Sequence, residues 1–220
     1  MAKRVKTVES TYSKITLTGR NKEQKEYINT IRANEITFCA GLVGTGKTYI
    51  AAMSALIAME NRSVDRIILS RPIVPCGSRT LGYLKGTLMD KFAPYLEPYI
   101  EIFNEQLGAS QVEGMLASGR IAAKPFEYIR GQTFRNAYVL LDEAQNTTIK
   151  ELEVFIGRIG EGCTVIVTGD IAQKDIREPD GLAHALNCLQ DVQGVGVYMF
   201  PPNAECVRNP LITEIMKKWQ

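Results

Sequence analysis

Several ingredients are scarce in this chain, and each scarcity excludes something. There is one histidine, His184, among 220 residues, so a histidine-rich metal site is excluded. Within Gly181-Leu182-Ala183-His184-Ala185-Leu186 it reads as a helix-surface residue. The five cysteines (Cys39, Cys76, Cys163, Cys188 and Cys206) are odd in number, and none pair at metal-ligand spacing. Cys39 and Cys163 lie in or beside apolar strand-like runs and read as small buried residues. No run is long and apolar enough to span a membrane. Lys3, Arg4 and Lys6 are not followed by an apolar stretch, so no secretory leader is read. The expectation is a cytoplasmic protein with no membrane partner. Neither sign of charge is in excess: the formal net charge of +2 is too small to argue for nucleic acid. Internal repeats, low-complexity tracts and linkers are also missing.

What is present is ordinary for a globular domain, with 45% hydrophobic and 23% charged residues. Residues 1–20 read as a polar N-terminal extension with a short strand candidate at Ile15-Thr16-Leu17, and 21–220 as a single domain. Strand patterns fall at 36–40, 66–70, 138–141, 163–168 and 196–200. Helical patterns fall at 22–32, 48–59, 149–159, 180–190 and 211–219. Between them lies a long middle segment, from Arg71 to about Ile121, without an assignment. The alternation predicts an α/β fold, a mainly parallel sheet with helices on both faces. Ligands then bind at the carboxyl ends of the strands.

The strongest motif is Gly41-Leu42-Val43-Gly44-Thr45-Gly46-Lys47-Thr48, followed by Tyr49. It lies between an apolar strand pattern and a helical one, the context a phosphate-binding loop requires. Glycines let backbone N–H groups turn inward around a phosphate. The following helix adds its positive N-terminal end. Lys47 is placed to reach the β- and γ-phosphates of ATP, and Thr48 to ligate Mg²⁺.

A second motif is Tyr138-Val139-Leu140-Leu141-Asp142-Glu143, an apolar strand ending in two carboxylates. Asp142 would hold Mg²⁺ together with Thr48, and Glu143 would orient or deprotonate an attacking water. Two adjacent carboxylates argue for hydrolysis rather than storage, and against a kinase. Thr148 with Glu151 is a capping box, which starts a helix and leaves 142–147 as a loop facing the nucleotide. In Thr168-Gly169-Asp170-Ile171-Ala172-Gln173, the amide beyond the next strand can contact the γ-phosphate, although Gly and Asp also form plain turns.

These motifs together resemble the PhoH family of ATPases. The resemblance rests on Gly41–Thr48, Asp142-Glu143-Ala144-Gln145-Asn146-Thr147-Thr148 and Gly169–Gln173. It extends to Arg71-Pro72, Leu81–Gly86, Lys91, Pro94-Tyr95-Leu96-Glu97-Pro98, Tyr128–Thr133 and Val207-Arg208-Asn209-Pro210-Leu211. Gln132 departs from it, standing where the family usually has a second arginine. The family is similar to the first RecA-like domain of superfamily 1 helicases, without the second.

The resemblance implies a RecA-like P-loop ATPase with possible RNA helicase activity. Gln24 looks like the adenine-reading glutamine of superfamily 1, and Gln173 like its γ-phosphate sensor. Arg208 is the candidate for the arginine that stabilises transferring phosphoryl charge, with Arg177 and Arg158 behind it. A lone RecA-like domain implies that the missing wall comes from another subunit, hence a homo-oligomer, a hexameric ring, with an arginine acting in trans. The substrate implied is single-stranded nucleic acid, RNA before DNA. Arg66, Arg71, Arg79, Lys85 and Lys91, interleaved with Tyr83, Phe92, Tyr95 and Tyr99, have the basic-plus-aromatic makeup of a stacking channel. Tyr95 and Tyr99 at helical spacing read equally as core. The alternative is an ATP-driven switch or adaptor that regulates a protein partner such as a ribonuclease.

Overall fold

The computed structural model describes residues 15–73, 92–129 and 131–207, and beyond them Leu211, Ile215 and Lys218, all three helical. The strands are β1 Ile36–Ala40, β2 Arg66–Arg71, β3 Ile121–Pro125, β4 Ala137–Leu141, β5 Thr164–Gly169 and β6 Val195–Met199. The helices are α1 Lys22–Ala33, α2 Lys47–Glu60, α3 Glu97–Leu107, α4 Ala109–Ala117, α5 Ile149–Ile156 and α6 Gly181–Cys188. The strands form one sheet in the order β3-β2-β4-β5-β1-β6. Every pairing is parallel. β5 therefore lies between β1 and β4, so its carboxyl end sits between the phosphate-loop strand and the carboxylate strand. This is the RecA-like P-loop arrangement.

Both faces of the sheet are covered, and successive residues of each central strand enter opposite cores. On one face Cys39, Ile67, Leu69, Tyr138, Leu140 and Ile166 pack with Ile50, Leu56 and Phe103. On the other, Phe38, Ile68, Val139, Leu141, Val165 and Val167 pack with Leu152, Phe155 and Leu186. With water on neither side, the strands read as unbroken apolar runs. Burial of Cys39 and Cys163 and exposure of His184 agree with the sequence.

Three expectations are corrected. Ile15-Thr16-Leu17 does not join the sheet. Its alternation reflects burial of Ile15 and Leu17 against the helices, while the Ile15 N–H meets the Glu60 carboxylate at 3.4 Å. The middle segment, without an assignment from sequence, holds α3 and α4, and the edge strand β3 follows at its end. Ile121-Ala-Ala-Lys-Pro carries a weak strand signal, and its terminal proline is tolerable at an edge. Finally α5 stops at Ile156, because Ile159 leaves the helix to bridge Phe134.

Candidate nucleotide site

β1 delivers the chain into the glycine-rich loop, and α2 takes it away. Gly44 and Gly46 have φ of 82° and 94°, the left-handed region that glycine enters freely. A Cβ on Gly44 would strike the Cys206 sulfur, and one on Gly46 the Gln24 amide. Gly46 starts α2 without a side-chain cap. By contrast Asn21, Thr148 and Asp180 accept from the first-turn N–H groups of α1, α5 and α6. The positive end of α2 is thus turned toward the loop, where an anion satisfies it best. Lys47 Nζ donates to Gly41 O at 2.6 Å and Leu42 O at 2.9 Å. Thr45 Oγ1 braces the loop by donating to Leu42 O at 2.9 Å. Val43 and Tyr49 are exposed beside it.

Two segments remote in sequence wall this loop. Gln24 is buried; its Nε2 donates to Thr45 O at 2.9 Å and its Oε1 accepts from Arg20 N at 2.9 Å. From the other end of the chain, Val207 N donates to Gly44 O at 3.0 Å. Arg20 Nη1 links the two walls by donating to Val207 O at 3.3 Å.

The carboxylates stand at the end of β4. Thr48 Oγ1 donates to Asp142 Oδ2 at 3.4 Å, and Thr168 Oγ1 to Asp142 Oδ1 at 2.7 Å. The Glu143 N–H adds a third donor at 3.0 Å. Burial raises the Tyr99 phenol well above its ordinary pKa, and the Asp142 carboxylate raises it further by charge and hydrogen bonding. Beneath the loop, burial pushes the Cys39 thiol up to about 12, against the pull of the Lys47 ammonium.

Glu143 turns away from Asp142 because its backbone is left-handed, with φ 54° and ψ 36°. Its Oε1 pairs with Arg71 Nη2 at 3.3 Å, and its Oε2 accepts from Gln145 Nε2 at 2.5 Å. The Arg71 guanidinium also lies over the Tyr95 ring, 5.3 Å from its centre. Gln173 is exposed and folds back, donating from Nε2 to Asp170 Oδ2 at 3.0 Å.

The fold therefore brings together Gln24, Lys47, Thr48, Asp142 and Glu143, with Gln173 on the neighbouring strand end. Arg208 lies outside the described residues, as do Arg79, Lys85, Lys91 and Tyr83. Arg177 is exposed and Arg158 half-buried. The proposed stacking channel loses several members. Phe92 and Tyr99 are core residues, and Arg66 begins β2 while Arg71 ends it, roughly 17 Å apart at strand rise. Sequence reasoning missed Thr168 and Gln145 as members of the site. The signal for Thr168 was its place at the end of an apolar strand adjoining both motif strands. Gln132, the departure from the family pattern, accepts from Lys124 Nζ, so a glutamine there satisfies an ammonium that arginine would repel.

A loop of this shape, on this strand order, beside a Thr–Asp pair, defines a P-loop NTPase of the RecA-like class. Comparison with known proteins narrows the class. The family model described as PhoH-like protein matches residues 16–220, and the chain belongs to that family. It is 40% identical over 199 residues to a PhoH-like protein of Synechocystis, covering 90% of this chain and 60% of that one. It is 38% identical over 198 residues to a PhoH-like protein of Bacillus subtilis, covering 89% and 61%. It is 40% identical over 197 residues to Protein PhoH of Escherichia coli K12, covering 88% and 55%. The chain thus spans less than two thirds of the length of these curated relatives. Among solved structures, the Pyrococcus furiosus Hef helicase domain aligns with TM-score 0.46 and 12% identity, covering 80% of this chain and 37% of that one. Among the described residues no helix is long and apolar enough to cross a membrane.

Proposed function

We propose that residues 21–220 form one ATPase unit that binds ATP with Mg²⁺, hydrolyses it, and couples turnover to remodelling or unwinding single-stranded nucleic acid, RNA before DNA. The observation that carries the hydrolytic reading is the separation of the two carboxylates. Asp142 faces Thr48, while Glu143 is turned aside by its left-handed backbone. In this reading the loop N–H groups and Lys47 bind the phosphates. Glu143 accepts the proton of the attacking water at its carboxylate. Gln173 releases Asp170 to contact the γ-phosphate, and Gln24 exchanges its contacts with Thr45 O and Arg20 N for the adenine edge. Tyr49 flanks the nucleotide.

Mg²⁺ fits the donors present. The Thr48 hydroxyl and Asp142 carboxylate are hard oxygens that face each other at 3.4 Å. Among the described residues no group of three or more His, Cys, Asp or Glu could hold a metal. Mg²⁺ needs only one or two protein oxygens, with phosphates and water completing its shell. Its chemistry would be to neutralise phosphate charge.

The nucleic-acid arm is supported by Arg71 stacked on Tyr95 beside Glu143, a basic and aromatic pair within reach of the site. The oligomeric arm, a hexameric ring with Arg208 acting in trans, is supported by exposed Val43 and Tyr49 at the loop. Sedimentation tests it, and a fully active monomer overturns it. The decisive experiment for the function is the ATP hydrolysis rate with and without single-stranded RNA and DNA at several salt concentrations. Stimulation by RNA that fades with salt supports the proposal. Stimulation only by a protein partner, such as a ribonuclease, replaces it with the adaptor reading. No hydrolysis under any condition overturns it.

A further inference from the structure

We propose that Gln145 is the positioning residue for Glu143, and that it ties the proton acceptor to the loop carrying Gln173. The inference rests on the reading of Glu143 as that acceptor. Gln145 is fully buried, and its amide is used from both ends. Nε2 donates to Glu143 Oε2 at 2.5 Å and reaches Gln173 O at 3.4 Å. Oε1 accepts the backbone N–H of Asp170 at 3.0 Å. One side chain therefore joins the ends of β4 and β5, which adjoin each other in the sheet.

The surroundings are shaped to this amide. A Cβ on Gly169 would strike Gln145 Oε1, so glycine at the end of β5 admits it. A buried amide is costly unless its donors and acceptor are met. Leucine would fill the same volume without that requirement, so the polar choice points to orientation rather than packing. Glu143 itself needs orienting, since its left-handed backbone is unfavourable for a residue with a Cβ. The carboxylate is gripped on two sides. Arg71 holds Oε1 from a partly exposed position, 27% accessible, while Gln145 holds Oε2 from the interior. The interior hold fixes the plane of the carboxylate. It also makes any displacement of the Asp170–Gln173 turn felt at Glu143, because the same amide carries both contacts.

The test compares Gln145→Leu and Gln145→Glu with the wild type and with Glu143→Gln. Gln145→Leu keeps the volume and removes all three hydrogen bonds. Its kcat falls about a hundredfold, the scale of an ångström-sized misplacement, while KM and ATP affinity stay near wild type. Gln145→Glu keeps the acceptor for the Asp170 N–H but sets a carboxylate against that of Glu143. That charge repels the Glu143 carboxylate and supplies no donor to it, so kcat falls at least as far as in Gln145→Leu while KM stays near wild type. A purely structural role would lower the melting temperature and weaken ATP affinity in step with kcat; that result overturns the inference. Wild-type kcat in folded Gln145→Leu overturns it too. If Glu143→Gln is inactive while Gln145→Leu is fully active, only this inference fails. Normal turnover by Glu143→Gln removes the base assignment and this inference together.

Discussion

The strand ends of β1, β4 and β5 and the chain between β2 and β4 differ in how far their residue types determine their use. At the strand ends, spacing determines position. A strand, a glycine loop and a helix can place Lys47 and Thr48 in only a few ways, and a parallel strand one position removed in the sheet brings Asp142 opposite Thr48. Between β2 and β4 the same residue types have two uses. Phe92 and Tyr99 share the aromatic character of a stacking surface, yet both are buried under α2 and the sheet. Of the basic and aromatic residues in that region, Arg71 and Tyr95 meet beside the site. A motif that specifies backbone geometry carries function; a composition that specifies only chemistry does not.

The contrast breaks first if Lys47 is dispensable. Lys47→Ala should remove ATP binding or slow turnover by about a hundredfold or more, read by nucleotide titration and steady-state hydrolysis. Near-normal binding would make the loop a plain turn. Next, Tyr99→Ala should destabilise the protein by about 3–5 kcal/mol, as aromatic deletions from a core do. Tyr95→Ala, which removes a half-buried ring packed against Phe92 and the core, should cost less stability and weaken RNA binding as well. Equal losses of stability would erase the distinction between the two tyrosines. A smaller effect is expected at Thr168. Thr168→Val removes a 2.7 Å hydrogen bond to Asp142, on the order of 1.4 kcal/mol. It should raise the Mg²⁺ concentration for half-maximal turnover about tenfold. An unchanged Mg²⁺ dependence would reduce Thr168 to a packing residue.

The smallest effect is on thiol chemistry under the loop. Burial lifts Cys39 to about 12, so the folded state favours its neutral thiol. Stability from this group is complete below the ordinary thiol pKa and is lost as pH rises through about 12. At pH 8 iodoacetamide should therefore label exposed Cys188 and spare Cys39, as peptide mass spectrometry would show. Rapid labelling of Cys39 would mean that the floor of the site opens.

Much of this was legible before any coordinates. The four central strands agree with the sequence to within a residue, because burial on both faces writes apolar runs into β1, β2, β4 and β5. The capping box at Thr148 and Glu151 forms as read, since its residues are three apart and need no tertiary help. What stayed hidden depends on neighbours that sequence does not order. Thr168 matters because β5 inserts between β1 and β4. Gln145 matters because Gly169 leaves room for it. β3 is weak alone and is held by β2 at the sheet edge. Gln24 was singled out for adenine, yet its amide is engaged by Thr45 and Arg20 backbone, contacts that no spacing rule anticipates.

If Glu143, and not merely the loop, makes this a hydrolytic site, single-turnover cleavage of ATP with Mg²⁺ in Glu143→Gln shows it. The amide keeps nearly the same shape but cannot accept the proton. ATP should bind about as tightly as in the wild type and be cleaved at least about a hundredfold more slowly. Cleavage at the wild-type rate would remove Glu143 from the reaction.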